Sequence, residues 1–273
     1  MRTWSVRAAA AAVCALAGLA QASVSDYSNF KSRYTTQTGA GVLEAYVYQG
    51  IHRVVGGPSL NPTTAGDVKV TLPGGQERTL GLLFDGYFVA GAGGFTSEAA
   101  LDGWMPAGDY TFSLTGGTLG DSSGTVSVPE VNLWASAPMI MNWNDVQSAQ
   151  ANTALVVDVA EAVVDPSIND GGFFWTVRNL TAGTAFSSFQ SFGDPSQFEI
   201  DGALLIAGHE YLLELYYAAR IPNGVADGVL SEGVGFTSFD TVVEARFTVV
   251  PAPGAMGLLG AGLLAAARRR RAN

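Results

Sequence analysis

Apolar and polar positions alternate over residues 43–48, 67–72, 110–114, 154–159, 173–177, 211–216 and 242–249. A period of two puts successive side chains on opposite faces, so each stretch predicts a strand. Pro73-Gly74-Gly75, Thr115-Gly116-Gly117 and Asn169-Asp170-Gly171-Gly172 punctuate them with residues that favour turns. Gly91-Ala92-Gly93-Gly94 reads as another flexible turn, since it lacks the Lys-Ser/Thr that completes a phosphate loop. Residues 149–160 could be misread as helix, yet no segment keeps helical periodicity long enough for a crossover between parallel strands. The pattern predicts an all-β chain.

A longer motif occurs twice. LDGWMPAGDYTFSL begins at Leu101 and IDGALLIAGHEYLLEL at Ile200. Each reads apolar-Asp-Gly, a few apolar residues, Ala-Gly, one or two polar residues, a tyrosine and then a strand. Gly108 and Gly208 supply a permissive backbone at the turn, and Tyr110 and Tyr211 open the strands. A tyrosine so placed is similar to the one at the corners of Ig-like and fibronectin-III-like sandwiches, whose domains run to about 100 residues, close to the spacing of the two copies. The expected fold is one or two Ig/fibronectin-III-like antiparallel sandwiches. With two, a division between Val128 and Pro129 gives domains of 23–128 and 129–250.

The termini read differently. Arg2 and Arg7 precede an apolar run over 8–20, and Ala20-Gln21-Ala22 forms a small-x-small cleavage site. Residues 1–22 are therefore expected to be a helical signal peptide, cut after Ala22 to leave Ser23, with the Sec translocon and signal peptidase as partners. The one cysteine, Cys14, lies within that run and lacks the small preceding residue a lipidated cysteine needs, so the mature chain has neither disulfides nor thiol chemistry. At the other end Pro251 and Pro253 interrupt the backbone, 255–267 carries no polar side chain, and Arg268, Arg269, Arg270 and Arg271 follow. Thirteen helical residues span about 20 Å, short of the ~30 Å hydrocarbon core. The arginines oppose translocation and stay cytoplasmic.

Val250-Pro251-Ala252-Pro253-Gly254, the apolar run and the arginine cluster together resemble the PEP-CTERM sorting signal of exported Gram-negative proteins, with Ala252 where that signal has Glu. The resemblance is confined to this tail, residues 251–273 with Val250 before them. It implies processing by an exosortase-like cysteine transpeptidase, transient inner-membrane anchoring through a short apolar helix, and delivery to the cell surface or matrix. It also implies an association with exopolysaccharide and biofilm.

Charge narrows the partners. Of 14 Lys and Arg, Arg2, Arg7 and Arg268 to Arg271 lie in the two signals; the remaining 8 face all 24 Asp and Glu, a net charge of −16. Such a chain repels nucleic acid and anionic membrane surfaces.

Candidate chemistry is sparse. Gly120-Asp121-Ser122-Ser123-Gly124 matches a nucleophile-elbow pattern, but that elbow needs a strand before the serine and a helix after it. Strand-like residues flank it on both sides, which predicts a hairpin loop. His52, near a strand end without a visible partner, and His209, in an Ala-Gly turn, are the only histidines, too few for a zinc site. Asp165, Asn169 and Asp170 carry oxygens that could meet calcium, without the spacing of an EF-hand; no other cofactor is indicated. Trp134, Trp143, Phe173, Trp175, Tyr216 and Tyr217 crowd the second half and would stack on sugar rings if exposed together. The expectation is an exported, non-enzymatic envelope or matrix protein, with a carbohydrate-binding module as alternative and a secreted hydrolase last.

Overall fold

The computed structural model describes residues 24–168, 170–191 and 197–252. The chain is all-β and builds sandwich-like sheets. Its largest sheet has nine strands. They run β12 (Thr184–Ser191), β11 (Asp170–Asn179), β14 (Glu210–Pro222), β16 (Val234–Thr248), β1 (Val24–Gly39), β3 (Val47–Gly56), β7 (Tyr87–Phe95) and β6 (Gly81–Phe84), with β2 (Val42–Leu43) paired to β1. All pairs in it are antiparallel except the central one. There β1 and β16 lie parallel, in register from Asp26↔Val234 to Thr36↔Glu244.

Two smaller layers cover one face of this sheet. The strands β15 (Val225–Ala226), β9 (Ser122–Val128), β8 (Gly108–Gly116), β4 (Gly66–Thr71) and β5 (Glu77–Thr79) form a five-stranded sheet over the first half. The pair β10 (Leu155–Asp158) and β13 (Gln197–Ile200) lies over the second. Each layer closes its own apolar core. Tyr27, Val54, Val70, Phe112 and Val126 typify the first, and Phe173, Leu213, Val243, Phe247 and Ile200 the second. Val128 and Pro129 separate the residues of the two cores, apart from Leu230, which returns to the first. They do not separate the sheet, because the first strand of the chain pairs with the last.

Six of the seven alternating stretches match strands to within one residue at either end; 43–48 instead straddles the end of β2 and the start of β3. Gly91-Ala92-Gly93-Gly94 is not a turn but part of β7, pairing Gly91 with Ile51 and Ala92 with Gly50. Glycine weighs against a strand on propensity, and here pairing with β3 outweighs it.

The repeated motif is a repeated structure. Leu101 and Ile200 are both fully buried. A helical turn follows or contains each, in α2 (Glu98–Trp104), the helix after α1 (Pro62–Ala65), and in a short 3-10 segment at Gly202–Leu204. Gly108 and Gly208 then take φ of 122° and 79°, where a side chain is strained. Tyr110 Oη donates to Pro106 O at 2.6 Å, and Tyr211 Oη to Leu204 O at 2.7 Å. Both are hydroxyls that tie a strand start to backbone upstream, as at a tyrosine corner.

The expected signal peptide, with Ala20, Ala22 and Ser23, lies outside the described residues, as do Pro253, Gly254, the expected apolar helix and Arg268 to Arg271. Among the described residues no helix is long and apolar enough to cross a membrane.

Candidate functional site

The inner face of β1 is polar where a central strand is usually apolar. Asn29, Lys31 and Gln37 are all buried, and Arg33 lies between them half-buried. They form a seam between the two cores. Each has a particular partner, as buried polar groups usually do, although Asn29 Nδ2 has none among the described residues.

Lys31 is the most demanding, with its side chain only 2 % exposed. Gly50 neighbours it on β3. A Cβ at Gly50 would lie 2.4 Å from Trp104 Cζ3, so the glycine lets α2 settle on the sheet. Ser97 caps that helix, its Oγ accepting from Ala100 N. Glu98 and Asp102, four residues apart, share one face of it. Lys31 Nζ donates to Asp102 Oδ1 at 2.6 Å and to Asn132 Oδ1 at 2.8 Å. Asn132 Nδ2 donates to Glu98 Oε1 at 2.5 Å and to Asp102 Oδ1 at 3.0 Å. Trp134 Nε1 also donates to Glu98 Oε1, at 3.0 Å. Asn132 and Trp134 belong to the segment that crosses from the first half to the second, so the cluster fixes the crossover. Beside it, Arg33 donates to Ala135 O at 2.8 Å and to Thr241 Oγ1 at 3.0 Å, and lies over the rings of Tyr46 and Trp134. Gln37 brackets Ile140, donating to its carbonyl and accepting from its N–H.

His52 is not at a strand end. It sits within β3, fully buried, between the rings of Trp104 and Tyr110. Its Nδ1 lies 2.7 Å from Asn29 Oδ1 and its Nε2 2.7 Å from Arg78 Nη1. Arg78 can only donate, so Nε2 is the acceptor and Nδ1 carries the proton. Burial, then the Arg78 charge, lowers the imidazole to about 3. A neutral histidine locked at both nitrogens is a structural strut.

On the opposite face of the sheet, Arg53 bridges Asp26 at 3.0 Å and lies 4.1 Å from the Phe30 ring centroid. Burial pushes the carboxyls of Asp240 and Glu214 up, against the pull of Ser238 and Arg220 on the former and Arg178 on the latter. Glu244, directly opposite Glu214 across β14 and β16, is raised by burial and by that neighbour.

The other sequence candidates are dispersed. Ser122 begins β9 instead of lying in a hairpin loop; a strand rather than a helix follows, and its buried Oγ has no hydrogen-bond partner among the described residues. His209 Nδ1 faces Asn179 Nδ2 at 3.0 Å. No hydrogen bond links Ser122 to either histidine among the described residues. Asp165 Oδ1 is engaged by Ser167, through Oγ at 2.5 Å and N at 2.8 Å, which lowers its carboxyl; Asp170 accepts from Gly171 N. Asn169 lies outside the described residues, and among those described no three His, Cys, Asp or Glu side chains gather to hold a metal. The aromatic residues do not form a platform. Phe173 and Tyr217 are fully buried and Trp175 is 8 % exposed, all in the second core; Tyr216 is 9 % exposed. Trp143 packs against that core, and Trp134 sits edge-on to Phe239. Val250 is bound to the fold through Ala149 O and Ala151 N, whereas Pro251 is exposed.

No protein-family model matches the chain, and no curated protein does. Among solved structures, it resembles the chicken CNTN1 FN1–FN3 domains at 13 % identity, covering 74 % of this chain and 63 % of that one with a TM-score of 0.25. A biofilm-associated protein BSP domain matches at 17 % identity, 74 % and 28 % coverage and a TM-score of 0.23. A structure concerning host cell surface retention of a bacterial ice-binding adhesin gives 16 %, 82 % and 65 %, and 0.25. The chain spans less than two thirds of each. The sandwich character stands on the chain's own sheets and not on these low similarities.

Proposed function

We propose that the protein is an exported, non-enzymatic component of the surface or extracellular matrix of a Gram-negative cell. A cleavable N-terminal signal takes it through the Sec translocon, and an exosortase-like enzyme processes its PEP-CTERM-like tail after transient anchoring in the inner membrane. The exopolysaccharide matrix is its setting.

One observation carries this reading. Among the described residues, strand pairing begins at Val24, the second residue after the expected cut, and the last backbone bonds are made by Val250, one residue before Pro251. Among the described residues every strand finds its partners between Val24 and Val250, which is what two removable flanking signals require. The non-enzymatic part is supported by the commitment of His52, which is bonded at both nitrogens.

Mass spectrometry of both mature termini, with cell fractionation, tests it. The expected product begins at Ser23 and lacks the arginine cluster. Recovery of Met1, of a lipid on Cys14 or of an intact Asn273 would refute the route. Pro251→Ala with Pro253→Ala should accumulate a longer membrane-bound form. Replacing Arg268 to Arg271 by serine should instead let the unprocessed chain leak through the membrane.

A further inference from the structure

We propose that Lys31 and Asn132 become joined by an intramolecular isopeptide bond, which ties the central strand of the sheet to the crossover between the two halves. The side chains bring together the groups that an acyl transfer uses. The nucleophile is the buried Lys31 Nζ, in contact with the Asn132 amide oxygen at 2.8 Å. A base touches the nucleophile, since Asp102 Oδ1 is 2.6 Å from Nζ. An acid site touches the leaving nitrogen, since Glu98 Oε1 is 2.5 Å from Asn132 Nδ2. Asp102 Oδ1 also lies 3.0 Å from that nitrogen, so one carboxylate spans the atoms that lose and gain the proton. Trp134 orients Glu98 through its indole N–H. Phe239 and Gly50 pair with Lys31 on either side; the Lys31 side chain is 2 % exposed, whereas that of Asp102 is 44 % exposed.

The step balances without a further reactant. Asp102 accepts a proton from the Lys31 ammonium, and the freed lone pair forms the Nζ–Cγ bond. Nζ then gives up a second proton, and the Cγ–Nδ2 bond breaks as Nδ2 takes up both protons, relayed through Asp102 and Glu98. Ammonium leaves, both carboxylates return to their starting state, and nothing is oxidised or reduced. A side-chain amide is a poor electrophile in solution. Fixed geometry compensates, because well-oriented intramolecular reactions reach effective concentrations of about 10⁵–10⁸ M. The bond would also give the mature chain a covalent staple that it cannot make from cysteine, its one cysteine lying in the expected signal.

Intact-mass measurement of the exported full chain, once its mature termini are read, tests this directly. The expected mass is about 17 Da below that of the sequence between those termini, one ammonia. Proteolysis should yield a single fragment joining the Lys31 and Asn132 peptides. Glu98→Gln, which preserves volume, should accumulate the unlinked mass, and Lys31→Arg should show no loss at all. A wild-type chain at full mass overturns the proposal even if neither variant folds. So does a loss that persists in Lys31→Arg, or a loss of about 18 Da with the link mapped to Asp102, which would be water.

Discussion

The first core closes under a five-stranded sheet and borders His52, Asn29 and Lys31. The second closes under β10 and β13 and is filled with rings, Trp175 stacked on Phe198 at 4.6 Å and Phe173 edge-on to Tyr217 at 5.3 Å. Both halves start a strand with the same turn and the same tyrosine. They differ in how their order is specified. Buried polar groups need every partner in place, and stranding one costs about 3–5 kcal/mol for an ion pair. An apolar core responds to volume. The first half should therefore be sensitive to protonation and to single polar atoms as well as to cavities, and the second chiefly to cavities. The polar seam lies on β1, the one strand that both halves share through β16.

Separating the halves should have the largest effect. Residues 23–128 alone leave β1 without its parallel partner β16, and leave the first core without Leu230. Residues 129–250 expose the other edge of the same ladder. Neither piece should give a cooperative unfolding transition or a folded strand spectrum by circular dichroism, whereas 23–250 should give both. An independently folded 23–128 would show that the shared sheet does not couple the halves.

Cavities rank next. Phe173→Ala and Phe112→Ala each remove a fully buried ring, which costs about 3–5 kcal/mol. With a common sheet, each should lower a single denaturation midpoint. Two separate transitions in either variant would instead assign each core its own stability.

The sequence displayed the comparison unevenly. Strands with one apolar face, such as β4, β8 and β10, were legible because their alternation survives in the letters. The central strand was not. Asn29, Lys31, Arg33 and Gln37 occupy the inward positions of β1, so a strand buried in the middle of the sheet reads as a polar segment. Strand β7 was hidden for a different reason, its glycines scoring as a turn until β3 is laid beside them. The tyrosine corners were visible because Gly, Tyr and the upstream apolar turn are local. The Lys31 cluster could not be found in the same way. Its members come from residues 31, 98, 102 and 132, and only the close approach of α2 to Gly50 brings them together. The aromatic cluster misled because composition says nothing about which face a ring occupies.

Acid should distinguish the halves by a smaller amount. His52 has an ordinary value of 6.5 and a folded value of about 3, so between these the unfolded chain binds the proton and the native one does not. Its stabilising contribution is complete above 6.5 and falls as the pH drops toward 3, by about 2 kcal/mol between pH 7 and pH 5. Arg78 and Tyr110 face the ring, and neither gains a proton in that window. The raised carboxyls of Asp240, Glu214 and Glu244 act oppositely, since a native state that holds protons more tightly gains stability as pH falls. The variant His52→Gln isolates the histidine, as an amide can donate to Asn29 and accept from Arg78 without titrating. The wild-type advantage in melting temperature should shrink by the equivalent of that amount from pH 7 to pH 5, and an unchanged gap would mean that His52 does not titrate as a buried neutral ring.

The two tyrosines offer the finest test, because the same substitution is made at the same point of a repeated motif. Among the described residues Tyr110 Oη has one hydrogen-bond partner, Pro106 O, which is itself half-buried. Removing the hydroxyl frees a carbonyl that water can reach in part, and should cost about 1 kcal/mol. Tyr211 Oη donates to Leu204 O and accepts from Ile206 N at 2.9 Å and from Asn179 Nδ2 at 3.1 Å. Tyr211→Phe therefore strands two donors and an acceptor around a fully buried ring, and should cost about 2–3 kcal/mol. Chemical denaturation of both variants gives the ratio directly. Asn179 reaches only the second tyrosine, so Asn179→Ala should weaken the effect of Tyr211→Phe in the double variant and leave that of Tyr110→Phe unchanged. Equal losses at the two positions would mean that the hydroxyls only fill space, and that the corner geometry is held by Gly108 and Gly208 instead.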